Sequence, residues 1–255
     1  MSSNPFSFDS LKESISENFS LYVVAILILI GGFMGGSLWQ KSKMLESGTL
    51  PSAQPQAAAD QPLVPEGPSA EVLANMPPVT ADDHIKGNLN AKVILVEYSD
   101  YECPYCESFQ TTMQQVVEDY GSDVAWVYRH YPLSFHANAQ KAAETAECVA
   151  SLGGNQAFWD FSDLYYSTTD SSGTGVAIAD MPALAAEVGV DQAAVKTCLD
   201  SDQMLTIVQD MMEAGSAAGI SGTPGTLVVT ADGPQELISG ALLIAQIKLV
   251  VDKYL

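Results

Sequence analysis

Basic side chains are scarce in this sequence. Lys and Arg total 10 against 31 Asp and Glu, so the formal net charge is −21 and the isoelectric point lies near 4.1. Recognition of nucleic acid needs clustered Lys and Arg to neutralise phosphate, and that class of function is excluded. The same balance gives no support for docking on anionic lipid and describes a solvated acidic surface. Cysteine is sparse as well, with four in 255 residues, too few for a disulfide scaffold in a chain of this length. Histidine occurs only as His84, His130 and His136. A structural zinc needs four ligands, typically with a second close pair, and there is one close cysteine pair, so no metal and no other cofactor is expected. No internal repeat is visible.

Charge is missing altogether from residues 19–39, FSLYVVAILILIGGFMGGSLW. At ~1.5 Å rise per residue this run is long enough to cross a bilayer, and Tyr22 and Trp39 sit near its ends, where amphipathic rings favour the interface. Its leading segment, residues 1–18, mixes Lys12 with Asp9, Glu13 and Glu17, no clean A-x-A site follows promptly, and no cysteine is placed for lipid attachment. A retained anchor is therefore expected in place of a cleaved signal peptide. Residues 40–79 then have few large apolar side chains and carry prolines at 51, 55, 62, 65, 68, 77 and 78, the composition of an extended linker.

From residue 80 to 255 the pattern is that of a folded domain. The run Lys92 to Ser99, KVILVEYS, is apolar between its two end residues apart from Glu97 and suits a buried central strand. A helix is predicted from Cys103-Pro104-Tyr105-Cys106 through Tyr120, and a second strand from Val124 to Tyr131. Residues 137–219 read as a block of helices, with apolar spacing in AQKAAETAECVASL and AFWDFSDLYY. Short strands follow at Thr226–Thr230 and Glu236–Ser239, and a helix closes the chain. The order is β-α-β, helical block, β-β-α, an α/β class with a mixed sheet.

The cysteines fall into two unlike sets. Cys103 and Cys106 form a CxxC where a strand passes into a helix. Unpaired N–H groups and the positive end of the helix dipole stabilise an anion there, so Cys103 is the expected attacking thiol. Pro104 suits the first helical position, and Cys106 lies within reach to resolve a mixed disulfide.

The segments VEYSDYECPYC, YRHYPLSFHANA and GISGTPGTLVV resemble the DsbA-like branch of the thioredoxin superfamily, over residues 80 to 255. The resemblance implies a thioredoxin-like fold with an inserted helical subdomain, here preceded by one transmembrane helix. It implies a thiol–disulfide oxidoreductase acting on cysteine-containing exported proteins, with a membrane redox partner and the catalytic domain on the extracytoplasmic side. By motif, Thr223-Pro224 falls at the family's cis-proline loop, which with Pro104 and Tyr105 lies against the substrate, and Glu97 at a buried acid that exchanges protons with the resolving cysteine. His130 falls in an RHxPL-like pattern, where packing of the loop is the expected role. Some members bridge two helices of the insertion; a Cys148–Cys198 bridge is the favoured reading, and two buried free thiols are the alternative. Tyr105 departs from the His that classical disulfide-forming members carry.

Two conflicts remain open at this level. Lys41 and Lys43 follow the apolar run and Lys12 precedes it, a count that favours a cytoplasmic C-terminal part, against the oxidising compartment the chemistry requires. The same two cysteines also serve reduction or isomerisation, and a non-catalytic tethered domain binding extended peptides is the alternative of another class.

Overall fold

The computed structural model describes residues 67–169 and 175–255. The expected anchor, residues 19–39, and the part of the expected linker before residue 67 lie outside the described residues. Among those described, no helix is long and apolar enough to cross a membrane.

Five strands form one sheet in the order β1-β3-β2-β4-β5. They are β1 (His84–Lys86), β2 (Val93–Ser99), β3 (Val124–His130), β4 (Gly225–Thr230) and β5 (Gly233–Ser239). Only β2 and β3 run parallel, and their connection is helix α2 (Pro104–Tyr120), a crossover of the kind a parallel pair requires. All other neighbours are antiparallel.

Alternation along the central strands divides the core in two. Val93, Leu95, Val124, Trp126 and Tyr128 face one cluster with Phe109, Met113 and Val116 of α2. Ile94, Val96, Tyr98, Ala125 and Val127 face the other, with Leu73, Met76 and Ile220. Glu97 shares the face of Val93 and Leu95, so its carboxyl points toward α2.

The helical block comprises α3 (Ala139–Thr168), α4 (Met181–Glu187), α5 (Gln192–Asp200) and α6 (Leu205–Ala217), and α7 (Ile244–Asp252) closes the chain. The two apolar-spaced segments predicted around residue 150 are one segment bent at Gly154, whose φ of 80° and ψ of −177° are open essentially to glycine alone.

The structure differs from the sequence reading in two places. Strand β1 was not expected; it pairs His84 with Tyr128 and Lys86 with Trp126 at the sheet edge. The folded region also begins before residue 80. A short helix, α1 (Ala70–Leu73), precedes the sheet, and Leu73 and Met76 are buried. The Arg129 guanidinium donates to the carbonyls of Pro77 and Pro78 and forms a two-pronged pair with Asp83 at 2.8 and 3.1 Å. The last part of the proline-containing stretch is thus fixed by a buried charged fork.

Candidate active site

The chain leaves the carboxyl end of β2, makes a tight turn over Asp100–Glu102, and enters α2 at Pro104. Cys103 is the N-cap residue, with φ −82° and ψ 118°, and Pro104 occupies the first helical turn, where its missing N–H leaves no bond unmade. Cys103 and Cys106 are both free and both buried, at 4% and 1% exposure.

Their surroundings set them apart. The Cys103 thiol is brought down to about 6, chiefly by a hydrogen bond from the Cys106 thiol; burial opposes this, and further bonds from the Cys106 and Tyr105 backbone N–H groups assist. Burial pushes the Cys106 thiol well above its ordinary range, and the neighbouring Cys103 and Glu97 charges add to the rise. Cys103 is therefore the thiolate near neutral pH, and Cys106 stays protonated beneath it.

Glu97 is 1% exposed on the same sheet face, and burial raises its carboxyl to about 7, with the Cys103 charge pushing the same way. One carboxyl oxygen of Glu97 is without a hydrogen-bond partner among the described residues. A carboxyl poised near neutral pH can give or take a proton without large change in energy.

The loop before β4 completes the site. The Thr223–Pro224 peptide bond is cis, and the Thr223 carbonyl lies 3.5 Å from Cys103 Sγ, so it accepts the thiol hydrogen bond. A shallow cavity of about 180 Å³ follows this loop, lined by residues 220–225 with Leu237, Ser239 and Gly240. Tyr105 stands 66% exposed, beside the buried sulfurs in sequence and available to an incoming chain.

Two acids that the sequence analysis passed over hold the turn. Asp100 accepts from the Leu133 and Glu102 N–H groups at 2.7 and 2.8 Å and pairs with His136 Nδ1 at 2.8 Å. Glu102 accepts from the N–H groups of Asn138 and Gly175 at 2.8 and 3.2 Å. Asp100 and Glu102 stand within YSDYEC, next to the recognised motif, but only the folded loop shows which distant N–H groups they serve.

The remaining candidates lie elsewhere. Cys148 of α3 and Cys198 of α5 are joined in a disulfide. His130 is not beside the thiols; it is wholly buried at the end of β3, facing Glu147 of α3 and His84 of β1.

A mixed sheet with a strand-to-helix CxxC and a cis-proline loop facing the first sulfur defines a thiol–disulfide oxidoreductase of thioredoxin-like fold. A family model described as thioredoxin matches residues 79–235, and the chain belongs to that family. Among solved structures it is similar to DsbA2 of Pseudomonas aeruginosa, with a TM-score of 0.60 and 24% identity over 69% of this chain and 96% of that one. It is also similar to oxidised BdbD of Bacillus subtilis, at 0.59 and 21%, covering 68% and 92%. At these identities the likeness is one of fold, helical insertion included. Among curated proteins the chain is 34% identical over 160 residues to Na(+)/H(+) antiporter NhaA 3 of Salinispora tropica, a match of 62% of this chain but 23% of that protein. A similar match, at 32%, is to NhaA 1 of Mycolicibacterium vanbaalenii. The chain spans less than a quarter of the length of these relatives.

Proposed function

We propose that this chain forms disulfide bonds in cysteine-containing exported proteins, held at the outer face of a membrane by residues 19–39 and reaching its substrates on the linker that follows. The observation that carries the reading is the opposed proton affinity of neighbouring thiols, Cys103 at about 6 and Cys106 raised well above its ordinary range.

In the oxidising direction the enzyme starts with Cys103 and Cys106 joined. A substrate thiolate attacks Cys103 Sγ, the intramolecular S–S bond breaks, and its electron pair leaves on Cys106, which takes a proton from Glu97. A second substrate thiolate then attacks the substrate sulfur of the mixed disulfide and expels Cys103 as its stabilised thiolate. Two electrons now reside on the Cys103/Cys106 dithiol, and a disulfide-bearing redox partner at the membrane removes them. A low-pKa Cys103 favours this direction because it is the better leaving group. Thr223 and Pro224 line the path of an extended substrate backbone, and Pro104 and Tyr105 flank the sulfur.

The exposed phenol of Tyr105 favours a second reading. It places no positive charge near the Cys103 thiolate, so a reductase or isomerase running the same steps in reverse is the runner-up. Equilibration of the Cys103/Cys106 pair with glutathione distinguishes them. A potential above about −200 mV supports disulfide formation, whereas one near about −270 mV, in the thioredoxin range, transfers the site to reduction.

A further inference from the structure

We propose that His84, His130 and Glu147 form a binding site for a divalent transition metal such as zinc, separate from the dithiol. One donor atom from each of the three lies within 4.8 Å of the others. Glu147 Oε1 is the common point, 2.7 Å from His84 Nε2 and 3.0 Å from His130 Nε2.

The fold brings these residues together from far apart in the sequence. The β1–β3 register sets His84 opposite Tyr128, and His130, two residues further along β3, shares that face. Glu147 on α3 covers the face, and Phe158 of the same helix stacks on the His84 ring at 3.6 Å. All three are buried, at 6%, 1% and 7% exposure.

Hydrogen bonding alone does not account for the cluster. Nδ1 of His130 has no hydrogen-bond partner among the described residues, and Nε2 meets only the Glu147 oxygen, at 3.0 Å, an oxygen already shared with His84. A buried polar atom without a partner is costly, and an imidazole in such a cluster is satisfied by water or by a cation on its lone pair. Two imidazoles and a carboxylate are a common zinc donor set, and donors on one tetrahedral ion stand ~3.4 Å apart. The observed 2.7 and 3.0 Å separations reach that spacing by side-chain shifts of a few tenths of an ångström.

Access is provided too. Glu147 lines two cavities, of about 530 and 300 Å³, and Asp82, Asp83 and His84 border the smaller one. An ion held by three protein ligands keeps a position open toward that acidic mouth.

The test uses the full chain in detergent with Cys103→Ser and Cys106→Ser, so that no active-site thiol binds metal; it therefore stands or falls apart from the redox function. Chelator-stripped protein is titrated with zinc salt alone by calorimetry, and the loaded protein is read by zinc-edge X-ray absorption. The expected result is one zinc per chain, a shell of two imidazoles with oxygen and no sulfur, and a melting temperature that rises with zinc. With His136 the sole other histidine in the chain, a two-imidazole shell identifies the site. In the same background Glu147→Gln and His84→Gln should each weaken binding by roughly 100-fold or more, since even loss of an outer partner costs ~10–100-fold. Absence of stoichiometric zinc in the parent, a shell with fewer than two imidazoles, or parental affinity in either variant overturns the proposal. Should a variant not fold, by circular dichroism, the absorption spectrum of the parent decides.

Discussion

Two sulfur atoms one helical turn apart have opposite proton affinities here because one caps the helix and the other lies beneath it. With Cys103 at about 6, its alkylation by iodoacetamide should rise through pH 6 and be nearly flat above pH 7, while Cys106 stays unreactive across that range. The same polarity separates the serine variants: Cys106→Ser should accumulate substrate mixed disulfides on non-reducing gels, and Cys103→Ser few or none. Equal trapping by both would contradict the assigned roles. Glu97 permits a signed prediction on stability. Its carboxyl titrates near 4.5 when unfolded and at about 7 in the reduced fold, so between those values the folded state holds the extra proton. Stability therefore falls as pH rises through this window, by about 3 kcal/mol at ~1.4 kcal/mol per pKa unit. Glu97→Gln removes that slope. Denaturant unfolding at pH 5 and pH 8 in a Cys103→Ser background, where the opposing slope of a thiol lowered to about 6 is absent, should show the Glu97 protein losing most of this amount and Glu97→Gln little; with both cysteines intact, Glu97→Gln should exchange disulfides more slowly. A parallel slope in both proteins would mean that Glu97 is not the titrating group.

At the scale of elements, the helical block is held to itself by one covalent link. Cys148 of α3 and Cys198 of α5 lie 50 residues apart in sequence, and closing a loop of that size is worth ~4 kcal/mol by restricting the unfolded chain. A Cys148→Ala/Cys198→Ala variant should lose up to about that much in unfolding free energy, with the pH midpoint of Cys103 alkylation unchanged. A shifted midpoint would mean that the insertion positions the thiols. What could be read from the sequence divides along similar lines. Strands β2 and β3 were legible because every residue in them is buried and the runs are long and apolar. The CxxC and the Thr223-Pro224 loop were legible because their chemistry is carried by residue types at short, fixed spacing. Strand β1 was not, since three residues flanked by Asp83 and Gly87 carry no periodicity. Nor was the bend at Gly154, because a Gly-Gly pair reads equally as a break between helices. The roles of Asp100 and Glu102 and the grouping of His84 and His130 with Glu147 were missed for one reason: the partners stand 17 to 73 residues apart in sequence.

At the scale of the whole molecule, the acidic charge, the apolar run at 19–39 and the thiol site have to agree on a compartment. The lysine count around the run, Lys12 before and Lys41 and Lys43 after, favours a cytoplasmic domain. Two arguments oppose it. Large domains cross membranes largely regardless of flanking charge, and the Cys148–Cys198 bond belongs to an oxidising environment, because cytosolic thiols are kept reduced. The folded region begins by residue 70 and is tied down at Pro77 and Pro78, which leaves the stretch between 40 and 66 as the proposed tether and the natural point of cleavage. Protease added to intact spheroplasts of the native host should therefore cut within that stretch and release a stable fragment containing both cysteine pairs, while a cytoplasmic control protein survives. The fragment should retain the Cys148–Cys198 bond after mild dithiothreitol has reduced Cys103 and Cys106, since the low-pKa Cys103 leaves more readily as thiolate. Full protection of the domain in intact spheroplasts, with digestion only after lysis, would place it in the cytoplasm. The lysine count would then prevail, and the site would have to be read as a reductase.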